Sequence, residues 1–449
     1  MRADEAYTYT EYASLSAYDS ISKYTFPNNH LFHTLLVHFT TKYFGSASWA
    51  IRLPALIAGI GLIPASFTMV QRLTNVRAGL WAAALVASSN PLISYSANAR
   101  GYSMTCLFTV LIVISADRIV ARDQVIDWCC FVALAALGLF TIPIMIYPVA
   151  GVVSWILYRR FSGTKRKPRI DRLFLAILAC GFLTIALYLP TILRFGVEAV
   201  ASNRFVKPRS FEDFRRELPG SLIQVWEQWN VDIPRPIALG FVVIWLASLI
   251  VPSAGRTGVR AITFLFFAVF ASALAVVFCQ RVVPFDRVWL FLAPVYLGMI
   301  GASLAALVEW TVGSQSRWHL LLPLIITVVL GLLVWKSDSI PAETAKLTLN
   351  HHERVIKRLL DEFKPSDAVI AQVPCDAPLR YYMMVNGLPV DALFDYRVAR
   401  AKRVFVVVSR PNEQTVKSVL DANGFVMLPG FEPVLVEDFG RSVLYTLSR

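Results

Sequence analysis

The sequence predicts a polytopic α-helical membrane protein that ends in a small α/β domain. Of its 449 residues, 56% are hydrophobic and only 16% are charged, and the mean hydropathy is +0.56. These values lie far from the mixture of a soluble globular domain. The formal net charge is +13, but the basic residues stand in short runs between apolar stretches. The sequence therefore does not indicate a nucleic-acid partner.

About ten apolar stretches, most of them near the length that crosses a bilayer, predict about ten membrane spans. They are residues 49–70, 78–97, 102–120, 128–141, 143–158, 173–193, 237–251, 261–279, 288–308 and 318–335. The run 128–158 is too long for one span and contains Pro143 and Pro148. It is therefore predicted to turn near Thr141–Ile144.

Basic loops set the predicted orientation of the spans. If the spans alternate, these loops emerge on one side, which is then the cytoplasm; they are residues 71–77, 121–127, 159–169, 256–260 and 310–317. The same parity places the polar residues 1–48 and 194–236 on the other side, together with the tail. The predicted domains are an external loop (1–48), a transmembrane region (49–335) and an α/β domain on the outer side (336–449).

The tail shows the alternation of a small α/β domain. A helical segment at 343–363 precedes a strand at 367–373, and a second strand at 403–409 precedes a helix at about 412–422 and short strands. No glycine-rich phosphate loop occurs at its turns, so we expect a scaffold, with a docking or substrate-gating role as the alternative.

The first 48 residues combine two carboxylates with tyrosines, which suit the headgroup layer of a membrane. Asp4 and Glu5 are adjacent. A second helix, capped by Asn28 or Asn29 and ended by Gly45, has an apolar face. That face consists of Leu31, Phe32, Leu35, Leu36, Phe39 and Tyr43. Two interfacial helices are therefore predicted beside the acidic pair.

If the spans alternate, several other polar residues also lie on the outer side. They are Arg52, Arg100, Tyr102, Arg281, Asp286 and Arg287. Lys and Arg are usually more frequent in cytoplasmic loops, so cations on the outer side are unusual. A lipid phosphate would give them a partner. Interfacial snorkelling or internal ion pairing is the alternative for any one arginine.

Four motifs carry a resemblance to a known family. They are DEAY at 4–7, NNHLFHTLL at 28–36, WAIRLPA at 49–55 and SANARGYSM at 96–104. The chain resembles the GT-C membrane glycosyltransferases, in the bacterial branch related to protein O-mannosyltransferases and the lipid A aminoarabinose transferase. Motifs carry the resemblance over residues 1–120, and the layout of spans followed by a soluble domain carries it beyond.

The resemblance implies transfer of a sugar from a polyprenyl-phosphate donor to a lipid, glycan or protein acceptor at the outer face of a bacterial inner membrane. Residues 336–449 would then form a periplasmic domain. Asp4, with Glu5 beside it, matches the position of the family's catalytic base, and a carboxylate can take the proton of an attacking hydroxyl. The residues expected at the departing phosphate are Arg52, Arg100, Tyr102 and Arg287, and those expected to contact substrate are Asn29, His30, Arg281 and Asp286.

Two departures from the family pattern bear on this expectation. Family members carry a transmembrane helix before the acidic pair, so we expect an upstream in-frame apolar segment of about 20 residues in the gene. Some relatives also carry an acidic residue at the turn that reads NARGYSM here. Glu5 or Asp286 could therefore share the task of Asp4.

No metal and no other cofactor is predicted. His30, His33 and His38 lie near two carboxylates in sequence, but helical spacing leaves His38 off the line of the other two. The six cysteines show neither a disulfide framework nor zinc-ligand spacing.

Two other functions stay open at this stage. A lipid-linked sugar flippase or transporter would also need many spans, but such proteins place ionisable residues near the bilayer midplane and show internal repeats. Here the polar residues collect at one face, and no repeat is visible. A non-catalytic membrane subunit is favoured only if the missing first helix is a real loss.

Overall fold

A computed structural model describes residues 1–26, 29–161, 168–201, 207–250, 256–313, 316–393, 398, 400–425 and 433–448. The predicted cap at Asn28 and residues 162–167 of the basic loop lie outside the described residues. The chain divides into two compact units, which are described separately. Unit 1 comprises Met1–Ser20, Val37–Ile51 and Asp338–Arg449, and unit 2 comprises Ile21–Leu36 and Arg52–Ser337.

The N-terminal region contains short helices, as predicted. They are α1 (Ala3–Thr8), a π-helical turn (Tyr9–Ala13), α2 (Ala17–Ser22) and α3 (Leu31–Phe44). Helix α3 ends before Gly45, whose φ of +81° needs a residue without a side chain.

The apolar face predicted for α3 is only partly correct. Phe39 and Tyr43 are 40% and 77% exposed, whereas Thr34 and Val37 are fully buried. The buried face accepts a threonine because the Thr34 hydroxyl donates to Asn29 Oδ1 (2.7 Å), so its polar group is satisfied.

Helices occupy every apolar stretch predicted from the sequence. The helices of this region are α4 (Ser48–Leu73), α5 (Val76–Ala87), α6 (Asn90–Ser96), α7 (Tyr102–Arg122), α8 (Val125–Thr141), α9 (Ile146–Phe161), α10 (Ile170–Phe195), α11 (Val197–Ala201), α12 (Phe211–Trp229), α13 (Arg235–Ser248), α14 (Arg256–Gln280), α15 (Ala293–Val312) and α16 (Trp318–Lys336). The predicted turn after Thr141 is confirmed, since Pro143–Met145 forms a 3-10 turn between α8 and α9.

Within the described residues, six helices are long and apolar enough to cross a membrane, fewer than the ten or so predicted from the sequence. They are Ser48–Leu73, Tyr102–Arg122, Ile170–Phe195, Thr257–Gln280, Asp286–Val312 and Trp318–Lys346. Four predicted stretches are not among these helices. Three of them correspond to α8, α9 and α13, which have only 17, 16 and 14 residues, and the fourth is interrupted. Residues 78–97 break between α5 and α6, and the 12 residues of α5 rise only about 18 Å against a hydrocarbon core of about 30 Å.

Helix α15 lies at the centre of unit 2 and is buried along most of its length. The helices approach each other closely at glycine residues, as is usual between membrane helices. A Cβ on Gly301 would lie 2.8 Å from the backbone nitrogen of Ala82 in α5, and one on Gly151 of α9 would lie 2.4 Å from the Cα of Val269 in α14. These glycines let the helix backbones touch.

The C-terminal part of unit 1 is an α/β domain. Its helices are α17 (Ser339–Lys346), α18 (His352–Glu362), α19 (Asp376–Val385) and α20 (Val416–Ala422), and its strands are β1 (Asp367–Ala371), β2 (Arg403–Ser409), β3 (Val434–Asp438) and β4 (Ser442–Ser448). The sheet order is β1-β2-β4-β3, with β1 parallel to β2 and the other pairs antiparallel. Helices α18 and α19 share one apolar core with the sheet, and α20 shares a second.

The predicted strands are confirmed, but the predicted helix at about 412–422 begins later. Thr415 caps α20 by accepting from the Ser418 N–H (3.1 Å), while Arg410–Asn412 forms a 3-10 turn. The Asn412 amide donates to the Ser409 hydroxyl (2.9 Å), so this residue closes a turn and does not cap the helix.

Candidate active site

The acidic pair of unit 1 lies in the first turn of α1, where the helix dipole favours negative charge. Glu5 is fully buried, and its Oε2 accepts the N–H of Arg2 (2.8 Å) in a capping arrangement. Asp4 is half-buried, and its Oδ1 accepts the N–H of Glu5 (3.0 Å). Of the two carboxylates, Asp4 is therefore the one that solvent or a substrate can reach.

Hydrogen bonds join the start of α1 to the end of α17 and to the residues that follow it. The N–H of Ala3 donates to the Leu347 carbonyl (2.8 Å), the Thr348 hydroxyl donates to the Met1 carbonyl (2.5 Å), and Arg2 donates to Thr344 Oγ1 (3.0 Å). Arg2 and Thr348 also form an isolated antiparallel β-bridge. The C-terminal domain therefore holds the backbone that carries Asp4.

The π-helical turn follows α1 directly. The Ser14 N–H donates to the Tyr9 carbonyl five residues back (2.9 Å). Tyr9 packs edge-on against Tyr381 of α19, with ring centroids 5.7 Å apart. Burial raises the pKa of Tyr9, and its hydrogen bond with Ser46 acts in the opposite direction. Tyr9 is therefore a neutral packing residue at neutral pH.

Two of the predicted cationic residues of unit 2, Arg100 and Arg287, act on His30. His30 and Arg100 are 4% and 5% exposed, and the ring of His30 packs edge-on against Tyr102 (5.1 Å). Burial, and then the charges of Arg100, His33 and Arg287, place the pKa of His30 well below its usual value. The imidazole is therefore neutral at neutral pH.

The hydrogen bonds of His30 define its neutral form. The Gly101 N–H donates to Nδ1 (2.8 Å), so the ring proton resides on Nε2. Nε2 lies 3.2 Å from Nη2 of Arg100. Nη2 of Arg100 and Nε2 of His30 are thus neighbouring N–H donors, and one anionic oxygen could accept a hydrogen bond from each.

Gly101 is required by this geometry and was not singled out in the sequence. A Cβ at this position would lie 2.6 Å from Cγ2 of Thr141 and 3.2 Å from Nδ1 of His30. Its place between Arg100 and Tyr102 was a usable signal, because an isolated glycine among functional residues often marks close backbone approach.

The remaining predicted site residues have other surroundings. Arg287 is exposed, and its guanidinium lies 4.7 Å over the ring of Phe285, although its charge reaches His30. Asp286 is exposed at the start of a 3-10 helix. The carbonyl of Arg281 accepts the Arg209 N–H (2.8 Å), which places Arg281 at a loop junction.

Asn29 and Arg52 complete the predicted set. The Asn29 amide donates to the Lys23 carbonyl (2.9 Å), and its oxygen accepts from Thr34 (2.7 Å), so both ends of the amide close the loop before α3. Arg52 is half-buried in α4. The described residues contain no group of three or more His, Cys, Asp or Glu placed to hold a metal ion.

Comparison with known proteins agrees with this layout. A family model described as dolichyl-phosphate-mannose-protein mannosyltransferase matches residues 29–190, a range that includes His30 and Arg100. Solved structures match almost the whole chain at low identity. The chain is a multi-pass integral membrane protein with the GT-C fold of membrane glycosyltransferases, and the family match supports glycosyltransferase as its general class.

Three similar structures come from two proteins. ArnT from Cupriavidus metallidurans bound to undecaprenyl phosphate has a TM-score of 0.62 at 12% identity, with coverage of 99% of this chain and 92% of ArnT. Apo ArnT gives 0.60 at 12% identity, with 99% and 91% covered. The oligosaccharyltransferase AglB from Archaeoglobus fulgidus, in complex with an inhibitory peptide and a dolichol-phosphate, gives 0.51 at 10% identity, with 98% and 70% covered. The search of curated proteins gave no match.

Proposed function

We propose that this protein transfers a sugar from a polyprenyl-phosphate donor to a lipid, glycan or protein acceptor at the outer face of a bacterial inner membrane. The observation that carries the proposal is the pair of buried donors in unit 2, Arg100 and the neutral His30, whose nitrogens meet 3.2 Å apart. The guanidinium of Arg100 and the Nε2–H of His30 are two neighbouring donors, and one phosphate oxygen can accept a hydrogen bond from both.

The comparisons support a lipid phosphate as that anion. The ArnT structure contains undecaprenyl phosphate, and the AglB structure contains a dolichol-phosphate. In this proposal Arg100 binds the phosphate, Tyr102 packs beside it, and Arg52 and Arg287 supply further positive charge. Of the predicted substrate contacts, His30 donates to the same phosphate through Nε2.

Asp4 is proposed as the general base. The acceptor hydroxyl attacks the anomeric carbon, its proton passes to the Asp4 carboxylate, and the bond between that carbon and the phosphate oxygen breaks with its electron pair going to the polyprenyl phosphate. The leaving phosphate gains negative charge, which a buried arginine stabilises more than an exposed one. Glu5 is less suited to this role because it is fully buried and caps α1.

The proposed orientation has the C-terminal domain and residues 1–48 in the periplasm. Its support is the basic character of the loops between spans, which favours the cytoplasm for those loops. The acceptor would then reach the protein on the periplasmic side of the inner membrane.

The test is transfer by the purified protein in liposomes. Radiolabelled sugars are offered on undecaprenyl phosphate and, in parallel, on nucleotides, with a lipid and glycan extract as acceptor. We expect label to reach the acceptor only from the polyprenyl-phosphate donor. Transfer only from the nucleotide sugar, or movement of the lipid-linked sugar across the bilayer without any transfer, would overturn the proposal; the second outcome would identify a flippase.

A further inference from the structure

Helix α19 of the C-terminal domain makes contact with the N-terminal segment through three consecutive residues. Arg380 forms an ion pair with Glu11 in the π-helical turn. The Tyr381 hydroxyl donates to the Ser46 carbonyl (2.7 Å), between α3 and α4. The Tyr382 hydroxyl accepts from the nitrogen of Met1 (2.8 Å). All of these contacts lie within unit 1.

The Arg380–Glu11 pair is better shielded than the surface ion pair between Arg354 and Glu437, although less than the Arg403–Asp367 pair inside the domain. The side chains are 32% and 16% exposed, whereas those of Arg354 and Glu437 are 61% and 36% exposed. Exposed pairs contribute little, because water and salt screen them. A shielded pair that joins two segments distant in sequence constrains their relative position more strongly.

The ion pair contacts the chain close to Asp4. Glu11 lies seven residues, about two helical turns, after Asp4. Between them the backbone changes from α-helix to π-helix, and such turns occur frequently at functional sites. The segment 1–13 is thus fixed at its start by Thr344, Leu347 and Thr348 and at its end by Arg380.

We propose that Arg380 is a positioning residue, which acts through Glu11 to hold the π-helical turn, and with it the Asp4 carboxylate, in the orientation required for proton transfer. The inference rests on the function proposed above. It makes the C-terminal domain part of the catalytic machinery and not a separate scaffold. A displaced base loses rate, because a shift of about 1 Å can lower the rate by about 100-fold.

Four variants of the full-length protein test the inference. They are Arg380→Gln, Glu11→Gln, the charge-exchanged Arg380→Glu/Glu11→Arg, and the control Arg354→Gln. Transfer kinetics, equilibrium binding of a fluorescent polyprenyl phosphate and hydrogen exchange of residues 1–20 are measured for each. Donor binding and exchange do not depend on turnover.

We expect kcat to fall about tenfold or more in each single variant, with faster exchange in residues 1–20, unchanged donor affinity and partial recovery on charge exchange. Arg354→Gln should leave all three readouts unchanged. The inference is overturned if kcat is unchanged in both single variants, or if exchange in residues 1–20 does not respond. A wild-type protein that transfers no sugar refutes the proposed function instead, while the exchange data still report whether Arg380 orders the segment.

Discussion

Replacing Arg100 should weaken donor use far more than replacing Arg287, although both arginines are proposed to meet the same phosphate. Arg100 is 5% exposed and 3.2 Å from His30 Nε2, whereas Arg287 is exposed and lies over Phe285. A shielded hydrogen bond between charged groups contributes about 1.5–3 kcal/mol, or roughly 10- to 150-fold in affinity or rate. An exposed cation contributes about 0–1 kcal/mol, which corresponds to less than about fivefold.

The assay compares Arg100→Ala, Arg100→Lys and Arg287→Ala in donor binding and in kcat/KM measured at low donor concentration. Arg100→Lys should fall between wild type and Arg100→Ala, because it keeps the charge but loses the planar fork. Thermal melting in detergent checks that each variant folds. A larger loss of donor affinity and kcat/KM in Arg287→Ala than in Arg100→Ala would refute the reasoning from burial. Unchanged donor binding in both variants would show that the phosphate does not bind to these arginines.

Three further predictions concern Gly101, His30 and the orientation of the C-terminal domain. Gly101→Ala should lower the free energy of unfolding by about 1–3 kcal/mol in thermal melts, because the new Cβ would lie 2.6 Å from Thr141 Cγ2. The double variant Gly101→Ala/Thr141→Ser should recover part of the loss. Gly181→Ala is the control, because no atom lies within 4 Å of its Cβ. Because the pKa of His30 is depressed in the folded protein, the unfolded chain binds a proton first as the pH falls, and the free energy of unfolding should decrease below about pH 6.5 by up to about 1.4 kcal/mol per pH unit. His30→Asn keeps an acceptor for the Gly101 N–H and should reduce this pH dependence in melts at pH 7.5 and 5.5. An equal pH dependence in both proteins would contradict the neutral state assigned to His30. A C-terminal phosphatase fusion should be active and a cytoplasmic reporter silent, and the reverse pattern would invert the proposed orientation.

Much of the helical architecture was predictable because hydrophobic length and proline breaks act locally. The turn after Thr141 follows from Pro143, and the end of α3 follows from Gly45. The number of long spanning helices was not, because the sequence does not show that residues 78–97 break before Asn90, nor that α8, α9 and α13 end after 17, 16 and 14 residues. An apolar stretch reads the same whether it crosses the bilayer or bends within it.

The sequence groups some of the proposed site residues, but it does not show their contacts. Arg100 and Tyr102 occur in one motif, and His30 in another, and the structure brings the three into contact. The different surroundings of Asp4 and Glu5 were not visible, since adjacent carboxylates look alike until one caps a helix. The Glu11–Arg380 contact joins residues 369 positions apart and leaves no local signal.

The measurement that tests the central claim most directly is the transfer rate of Asp4→Asn beside that of Glu5→Gln. Asp4→Asn keeps shape and hydrogen bonding but removes the base, so kcat should fall by roughly 10²–10⁴-fold while donor binding survives. Glu5→Gln keeps an oxygen that can accept the Arg2 N–H, so it should cost about 1 kcal/mol of stability at most and leave transfer largely intact. Full activity in Asp4→Asn with loss in Glu5→Gln would move the base to Glu5, and full activity in both would contradict a carboxylate base at this position.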